Sequence, residues 1–170
     1  MIVINGDLKH EFGTISDEEW RNIRKFLAVL KKNSKKLVIL KGNHDKIIDP
    51  IGKEMGFKPV KEYLVGDVLF THGDFIPDIG KEIKTIIIGH EHPAVTLREG
   101  AKSEKYKCFL LGRWKKRNLI VLPSLNLVTE GTDVVSEKLL SPFLDKDLRK
   151  FKVWIIADKT YEFGELRGLL

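Results

Sequence analysis

The chain has 170 residues and a mass of 19.5 kDa, which fits one domain whose core needs no disulfide or structural metal. Its single cysteine excludes an intrachain disulfide, and no apolar run approaches the ~18 residues that span a bilayer, so we expect a cytoplasmic protein. The net charge of +6 allows a polyanionic partner such as nucleic acid, although many basic proteins bind none.

In the first half of the chain, short apolar runs alternate with amphipathic or turn-rich segments, which is typical of an α/β protein. Between the first two runs, Ser16 and Glu19 form a capping box, and apolar residues then recur on one helix face until about Asn33. A second helix is expected after the second run. Strands are predicted for four runs, at residues 2–4, 37–40, 68–70 and 86–88.

The second half of the chain predicts antiparallel strands joined by short turns. The predicted pairs are residues 106–112 with 118–122 and residues 153–157 with 160–163. Cys108 lies in the first of these strands and is expected to be buried. The basic residues 113–117 fit either a solvated hairpin loop, which we favour, or a nucleic-acid contact. Because no linker or repeat marks a boundary, we predict one domain over residues 1–170, with residues 124–146 its least regular part.

Polar residues that bind metals directly follow the four predicted strands of the first half. Each group also contains a glycine, which suits a sharp turn of the backbone close to a ligand. Because the carboxyl ends of strands in an α/β sheet form the edge where ligands bind, the four groups are expected to converge. All five histidines of the chain lie in these groups, which are residues 5–10, 41–45, 71–74 and 89–92.

The residue types of these groups indicate a transition-metal site. Imidazole, carboxylate and amide donors suit manganese, iron, zinc or nickel better than calcium or magnesium. Taken alone, His72 is more often a hydrogen-bonded structural histidine, and Asp7 or residues 43–45 fit a loop or helix cap. His90 and His92 are stronger evidence, since two histidines two positions apart after a strand can reach one ion or a neighbouring pair. The four groups together favour metal binding.

The same residues resemble the calcineurin-like metallophosphoesterases in order and spacing. More narrowly, residues 6–10, 89–93 and 121–133 resemble the archaeal and bacterial ICC-like phosphoesterases, which are related to SbcD-type repair nucleases and to ligase-associated endonucleases. The resemblance implies an α/β sandwich of mixed sheets flanked by helices. The matching motifs are Gly6-Asp7, Gly42-Asn43-His44-Asp45, His72-Gly73-Asp74 and Gly89-His90-Glu91-His92.

The resemblance also implies a role for each residue of the site. Asp7 would bridge two divalent metals, and His92 would serve the first of them. The second metal would be completed by Asn43, His72 and His90. By the same resemblance, His44 would be catalytic, facing the substrate together with Asn43 and protonating the leaving oxygen. The implied reaction is hydrolysis of a phosphate ester by a metal-bound hydroxide, with manganese as the first choice of metal and zinc, iron or nickel as alternatives.

Two departures from the family pattern change these expectations. The family's first motif, Asp-x-His on a first strand, is absent, so the first metal keeps only Asp7 and His92 and is expected to bind poorly. We expect that the start codon was assigned too far downstream. The alternative is that the short form is real and catalytically impaired. A third outcome is a homodimer in which another chain supplies the missing strand. His10 replaces an acidic residue of many relatives, and its role in orienting His44, binding substrate or packing stays open.

The function expected from the sequence is a metal-dependent phosphodiesterase, with a nuclease in DNA repair as the favoured form. A phosphodiesterase acting on small nucleotides is the alternative within the same enzyme class. The alternative from another class is a non-catalytic or one-metal module that binds nucleic acid or protein, which the absent motif motivates.

Overall fold

The computed structural model describes residues 1–8, 16–45 and 48–169. By its internal contacts the chain divides into two compact units. The first unit comprises Met1–Leu64 and Phe70–His72, and the second comprises Val65–Leu69 and Gly73–Leu170. None of the helices in the described part of the chain is long and apolar enough to cross a membrane.

The first unit contains two parallel strands and two helices. Strand β1 (Ile2–Ile4) pairs in register with β2 (Leu37–Ile39). Helix α1 (Asp17–Lys32) lies between them in sequence, and helix α2 (Ile48–Met55) follows β2. The core of this unit joins one face of α1 to β2 and α2 through five buried side chains, Ile23, Leu27, Ile39, Ile48 and Ile51.

Both ends of α1 lie where the sequence predicts them. Ser16 is the N-cap, and its side-chain oxygen accepts the backbone N–H of Glu19 at 3.2 Å. Asn33 is the C-cap, and its backbone N–H donates to the carbonyl of Leu30. Acidic residues in the first turn and basic residues in the last turn complement the helix dipole.

Strands β3 (Glu62–Val65) and β4 (Val68–Thr71) follow each other across a two-residue turn that contains Gly66, whose φ is 58°. The division between the two units passes through both strands. His72, the next candidate ligand, follows directly after β4.

The second unit is built mainly from strands. Strand order is β11-β10-β7-β8-β5, in which β5 and β8 are parallel and the other neighbours are antiparallel. Strand β6 pairs antiparallel with the first part of β7 and parallel with β9, so the pairing is mixed. The strands are β5 (Thr85–Ile88), β6 (Pro93–Glu99), β7 (Lys102–Trp114), β8 (Arg117–Val121), β9 (Thr132–Asp133), β10 (Lys152–Ile156) and β11 (Thr160–Glu165). Two short 3-10 helices lie at Pro142–Leu144 and Leu166–Leu169.

The two predicted antiparallel pairs are confirmed as β7 with β8 and β10 with β11. Cys108 is fully buried in β7, where burial and the charge of Asp133 raise the pKa of its thiol to about 12. The thiol therefore stays protonated at neutral pH, in agreement with a structural role. The basic residues 113–117 span the turn between β7 and β8, which confirms the hairpin expectation.

Candidate metal centre

Close approach of two loops in the first unit positions Asp7. Because β1 and β2 are parallel, the loops that carry Asp7 and Asn43 leave their carboxyl ends at the same edge. Gly6 and Asp7 have φ values of 87° and 50°, so the backbone reverses directly after β1. A Cβ atom at Gly42 would overlap the backbone nitrogen and Oδ1 of Asp7. A glycine is therefore required for the two loops to meet.

His72 is oriented by the backbone after β1. Its side chain is 1% exposed, and its Nδ1 lies 2.9 Å from the carbonyl oxygen of Asn5. A carbonyl oxygen only accepts, so Nδ1 carries a proton and donates it. Gly6 makes room for this contact, since a Cβ atom there would overlap His72 Nδ1. The other ring nitrogen, Nε2, then points towards Asp7 and Asn43.

Two oxygen acceptors lie close to His72 Nε2. This nitrogen lies 3.2 Å from Asp7 Oδ2 and 3.1 Å from Asn43 Oδ1. With its proton on Nδ1, a neutral imidazole presents a lone pair at Nε2, and that lone pair would face two oxygen acceptors. A cation at its centre, such as a metal ion, would satisfy all of these acceptors. Carboxylate, amide and imidazole donors with an anchored Nδ1–H fit a divalent metal.

Asp7 divides its two oxygens between neighbours. Oδ2 faces His72, and Oδ1 accepts the backbone N–H of His44 at 3.0 Å. Burial raises the pKa of Asp7, but the hydrogen bond and charge of His72 and the interactions of His44 outweigh it, so the net pKa is lowered. Asp7 is therefore ionised at neutral pH and able to hold a cation.

Asp45 fixes the two ligand-bearing loops to each other. It is fully buried, and its Oδ2 accepts the backbone N–H groups of Leu8 at 3.3 Å and Gly42 at 3.0 Å. These donors follow Asp7 and precede Asn43 directly, so Asp45 holds both proposed ligands in place. The sequence showed an acid after His44 but not its burial, and the role of Asp45 was missed.

In the second unit, His90 and His92 follow β5 in strained backbone conformations. Their φ values are 58° and 50°, which L-residues seldom adopt. In the described ranges, Asp7, His90, His92 and Lys115 are the non-glycine residues with positive φ, so three of the four are proposed ligands. Strained backbone of this kind concentrates at functional sites, where the surrounding structure enforces it.

Glu91, between these two histidines, is fully buried. Burial raises its pKa, although hydrogen bonds from Ser141, Leu140 and Thr132 act in the opposite direction. The sequence did not predict a role for this residue. A polar residue between two proposed ligands was visible, but its partners lie 49 and 50 positions further along the chain.

The structure thus brings together Asp7, Asn43, His72 and the backbone of His44 within the first unit. It places His90 and His92 on one loop of the second unit. The expectation for His10 lies outside the described residues.

Comparisons with known proteins bear on the fold and the family of the chain. Two crystal structures of Vps29 from Entamoeba histolytica resemble the chain. The double mutant is 14% identical with a TM-score of 0.35, and the match covers 99% of this chain and 95% of the Vps29 chain. The single mutant is 15% identical with a TM-score of 0.34, and the match covers 98% of this chain and 93% of the Vps29 chain. Among curated protein sequences, none matches significantly. The family model for the calcineurin-like phosphoesterases matches residues 1–147, and the mixed α/β fold expected from the sequence is confirmed. The chain belongs to the calcineurin-like phosphoesterase family.

Proposed function

We propose that this protein is a metal-dependent phosphodiesterase. The observation that carries the proposal is the group of acceptors around His72 Nε2, because Asp7 Oδ2 and Asn43 Oδ1 both lie within 3.2 Å of it. Such a group can hold a cation, and the family to which the chain belongs hydrolyses phosphate esters. Membership of the narrower ICC-like subgroup and a cytoplasmic location both stay predictions from the sequence.

The proposal assigns the ligands to two ions. By the family resemblance, Asp7, Asn43, His72 and His90 are assigned to one ion, and their donor types suit manganese, zinc, iron or nickel. Asp7 and His92 are assigned to the other ion. When bound, divalent ions would stabilise the charge of the phosphoryl group and supply a water of lowered pKa. Manganese is the metal we propose first.

We assign proton donation to the leaving oxygen to His44. Its backbone N–H is held by Asp7 Oδ1 at 3.0 Å, so the main chain of His44 is fixed next to a proposed ligand. Proton donation by a positioned side chain typically contributes about 10²–10⁴-fold in rate. Contacts of Asn43 and His10 with the substrate are part of the same proposal.

A nucleic-acid substrate is the finer part of the proposal, and it is supported by the net charge of +6. The basic composition of the β7–β8 turn is weaker support for a nucleic-acid substrate, because its two arginines bind other parts of the protein. Arg113 donates to Asn118 Oδ1 at 2.9 Å, and Arg117 donates to the carbonyl of Gly80 at 2.9 Å. Both guanidinium groups hold protein structure, which leaves Lys115 and Lys116 as the basic side chains of the turn to test against DNA.

Hydrolysis assays with purified protein and manganese test the proposal. Bis(p-nitrophenyl) phosphate, p-nitrophenyl phosphate, single-stranded and double-stranded DNA, and RNA are the substrates. We expect hydrolysis of the diester and of at least one nucleic acid. His44→Ala keeps the backbone N–H to Asp7, so it should lose about 10²–10⁴-fold in kcat without losing metal. If the protein hydrolyses none of these substrates, the enzyme proposal is wrong. Cleavage of the small esters alone would favour the small-nucleotide alternative.

A one-metal or non-catalytic binding module is the competing function. It is favoured by one observation, that the donors gathered around His72 Nε2, Asp7 Oδ2 and Asn43 Oδ1, are sufficient for one ion only. Metal analysis separates the two functions, because about two ions per chain at activating manganese concentrations support the enzyme and one or none supports the module.

A single metallophosphoesterase domain over residues 1–170, and a homodimer, remain predictions. In β1, Ile2 donates to Lys36 and Ile4 accepts from Leu40, so the N–H and C=O of Val3 point away from β2. Pairing of that edge with a second chain should be visible as a doubled mass in light scattering, and Val3→Pro should abolish it while sparing the bonds to β2.

A further inference from the structure

Glu91 is a buried acid that the proposed chemistry does not use. It lies between two proposed ligands, His90 and His92, yet its side chain is fully buried. Acidic side chains are almost never fully buried unless they are paired or hydrogen-bonded. The contacts of Glu91 therefore indicate what the residue is for.

The carboxylate of Glu91 binds a distant segment of the chain. Its Oε2 accepts the backbone N–H groups of Leu140 and Ser141, each at 2.8 Å. One carboxylate oxygen thus ties the loop after β5 to the segment at residues 140–141.

Residues 131, 132 and 141 also hold the backbone after Glu91 and the backbone after His72. Thr132 donates its backbone N–H to the carbonyl of His92 at 2.9 Å. Gly131 packs against that carbonyl so closely that a Cβ atom there would overlap it. Ser141 Oγ donates to the carbonyl of Gly73 at 2.6 Å, next to His72 in sequence. The braced residues are therefore neighbours of three proposed ligands.

The loop that carries His90 and His92 has backbone conformations that its surroundings must stabilise. His90 and His92 have φ values of 58° and 50°. Such conformations persist only where the surroundings enforce them. Hydrogen bonds that the backbone N–H groups of Leu140 and Ser141 donate to Glu91 fix the residue between the two histidines, and this opposes relaxation of their backbone.

We propose that Glu91 is a positioning residue that holds His90 and His92 in their strained conformations by anchoring their loop to Leu140 and Ser141. This inference rests on the proposed function for its metal-binding consequence. Glu91 does not itself ligate a metal or contact a substrate. Removal of its carboxylate should lower metal affinity through the two histidines, as loss of outer hydrogen-bond partners commonly does by about 10–100-fold.

Three variants test the inference in the full chain, by hydrogen exchange without metal and by titration with manganese. Glu91→Ala removes the acceptor, whereas Glu91→Gln keeps an oxygen that can accept both N–H groups. Val153→Ala serves as the control, because it opens a cavity on β10 at a fully buried residue and so destabilises the unit without touching the loop. If Glu91→Ala does not fold, Glu91→Asp takes its place, since it keeps the charge and shortens the reach.

We expect Glu91→Ala to speed amide exchange about 10-fold or more at residues 89–92 and 140–141 and to weaken manganese binding about 10–100-fold. Glu91→Gln should restore both within about 3-fold, and Val153→Ala should leave manganese affinity unchanged at temperatures where it is folded. The inference is overturned if Glu91→Ala binds manganese with wild-type affinity, or if Val153→Ala loses as much manganese affinity as Glu91→Ala does. If the wild type binds no manganese, the proposed function fails, and the exchange pattern alone decides: local acceleration supports the positioning role and its absence overturns it.

Discussion

At Gly42 the loop after β2 runs so close to Asp7 that a methyl group would overlap the carboxylate. Gly42→Ala should therefore displace Asp7, destabilise the fold by about 1–3 kcal/mol and weaken manganese binding about 10-fold or more. Calorimetric titration and thermal unfolding measure the two effects. Gly168→Ala is the matched control, because a Cβ atom there meets nothing within 4 Å and should change neither quantity. An undiminished affinity in Gly42→Ala would contradict the close approach.

A buried acid away from the proposed ligands gives a pH-dependent prediction. Asp133 is 4% exposed, accepts the Thr96 hydroxyl and accepts the backbone N–H of Val135 at 2.9 Å. Burial raises its pKa, but these hydrogen bonds and those of Ser136 outweigh it and lower the pKa below 3.8. Because the pKa of Asp133 is lower in the folded state, the ionised carboxylate stabilises the protein at pH values above the pKa of the unfolded state. This stabilisation is lost as the pH falls through the pKa of the folded state.

Asp133→Asn should consequently cost about 1–2 kcal/mol at pH 7 and less at pH 3. Chemical denaturation of wild type and variant at both pH values measures the difference. A cost that is equal at the two pH values, or larger at pH 3, would show that the charge of Asp133 contributes nothing.

Single residues also show what the sequence could and could not reveal about the site. The type and spacing of Asp7, Asn43 and His72 were visible, because metal donors after apolar runs are conspicuous in any sequence. Asp45 and Glu91 were missed, since acids are usually exposed and three of their backbone partners, Leu8, Leu140 and Ser141, lie 37 to 50 positions away. Only folding reveals that these two carboxylates bind main-chain N–H groups.

At the scale of elements, the start of α1 depends on one side chain. Ser16 accepts the N–H of Glu19, which would otherwise be without an intrahelical partner. Ser16→Ala should cost about 1 kcal/mol in the free energy of unfolding. Ser103→Ala, at an exposed position of β7, is the control and should stay within about 0.5 kcal/mol of wild type. Equal stabilities of the two variants would show that the cap is unimportant.

Local patterns predicted some elements well and others poorly. Strand β1 and the ends of α1 agree with the prediction because apolar runs and capping residues are local signals. The second strand was predicted to include Leu40, but β2 ends at Ile39 and Leu40 instead forms an isolated bridge with Val60. Strand β6 was not predicted, since Pro93–Glu99 is defined by pairing with β7 rather than by a long apolar run.

At the scale of the whole molecule, alternation of apolar runs and helices predicted the α/β class but not the order of strands. The parallel pairing of β5 with β8 joins residues more than 30 positions apart, across β6 and β7. Such pairings follow from packing of both faces and have no local sequence signal. The division into two units passes through β3 and β4, where no change of composition marks it.

Metal binding by Asp7, Asn43 and His72 is the central claim about the whole molecule. Manganese titration of the 170-residue chain tests this claim most directly. Calorimetry measures both the affinity and the number of ions bound. We predict one tightly bound ion, because Asp7 Oδ2 and Asn43 Oδ1 already lie within 3.2 Å of His72 Nε2. Binding should weaken as the pH falls and should be lost in His72→Ala but kept in Asp158→Ala, an exposed control. Equal manganese affinity in His72→Ala and wild type, or no saturable binding by the wild type, would contradict the account.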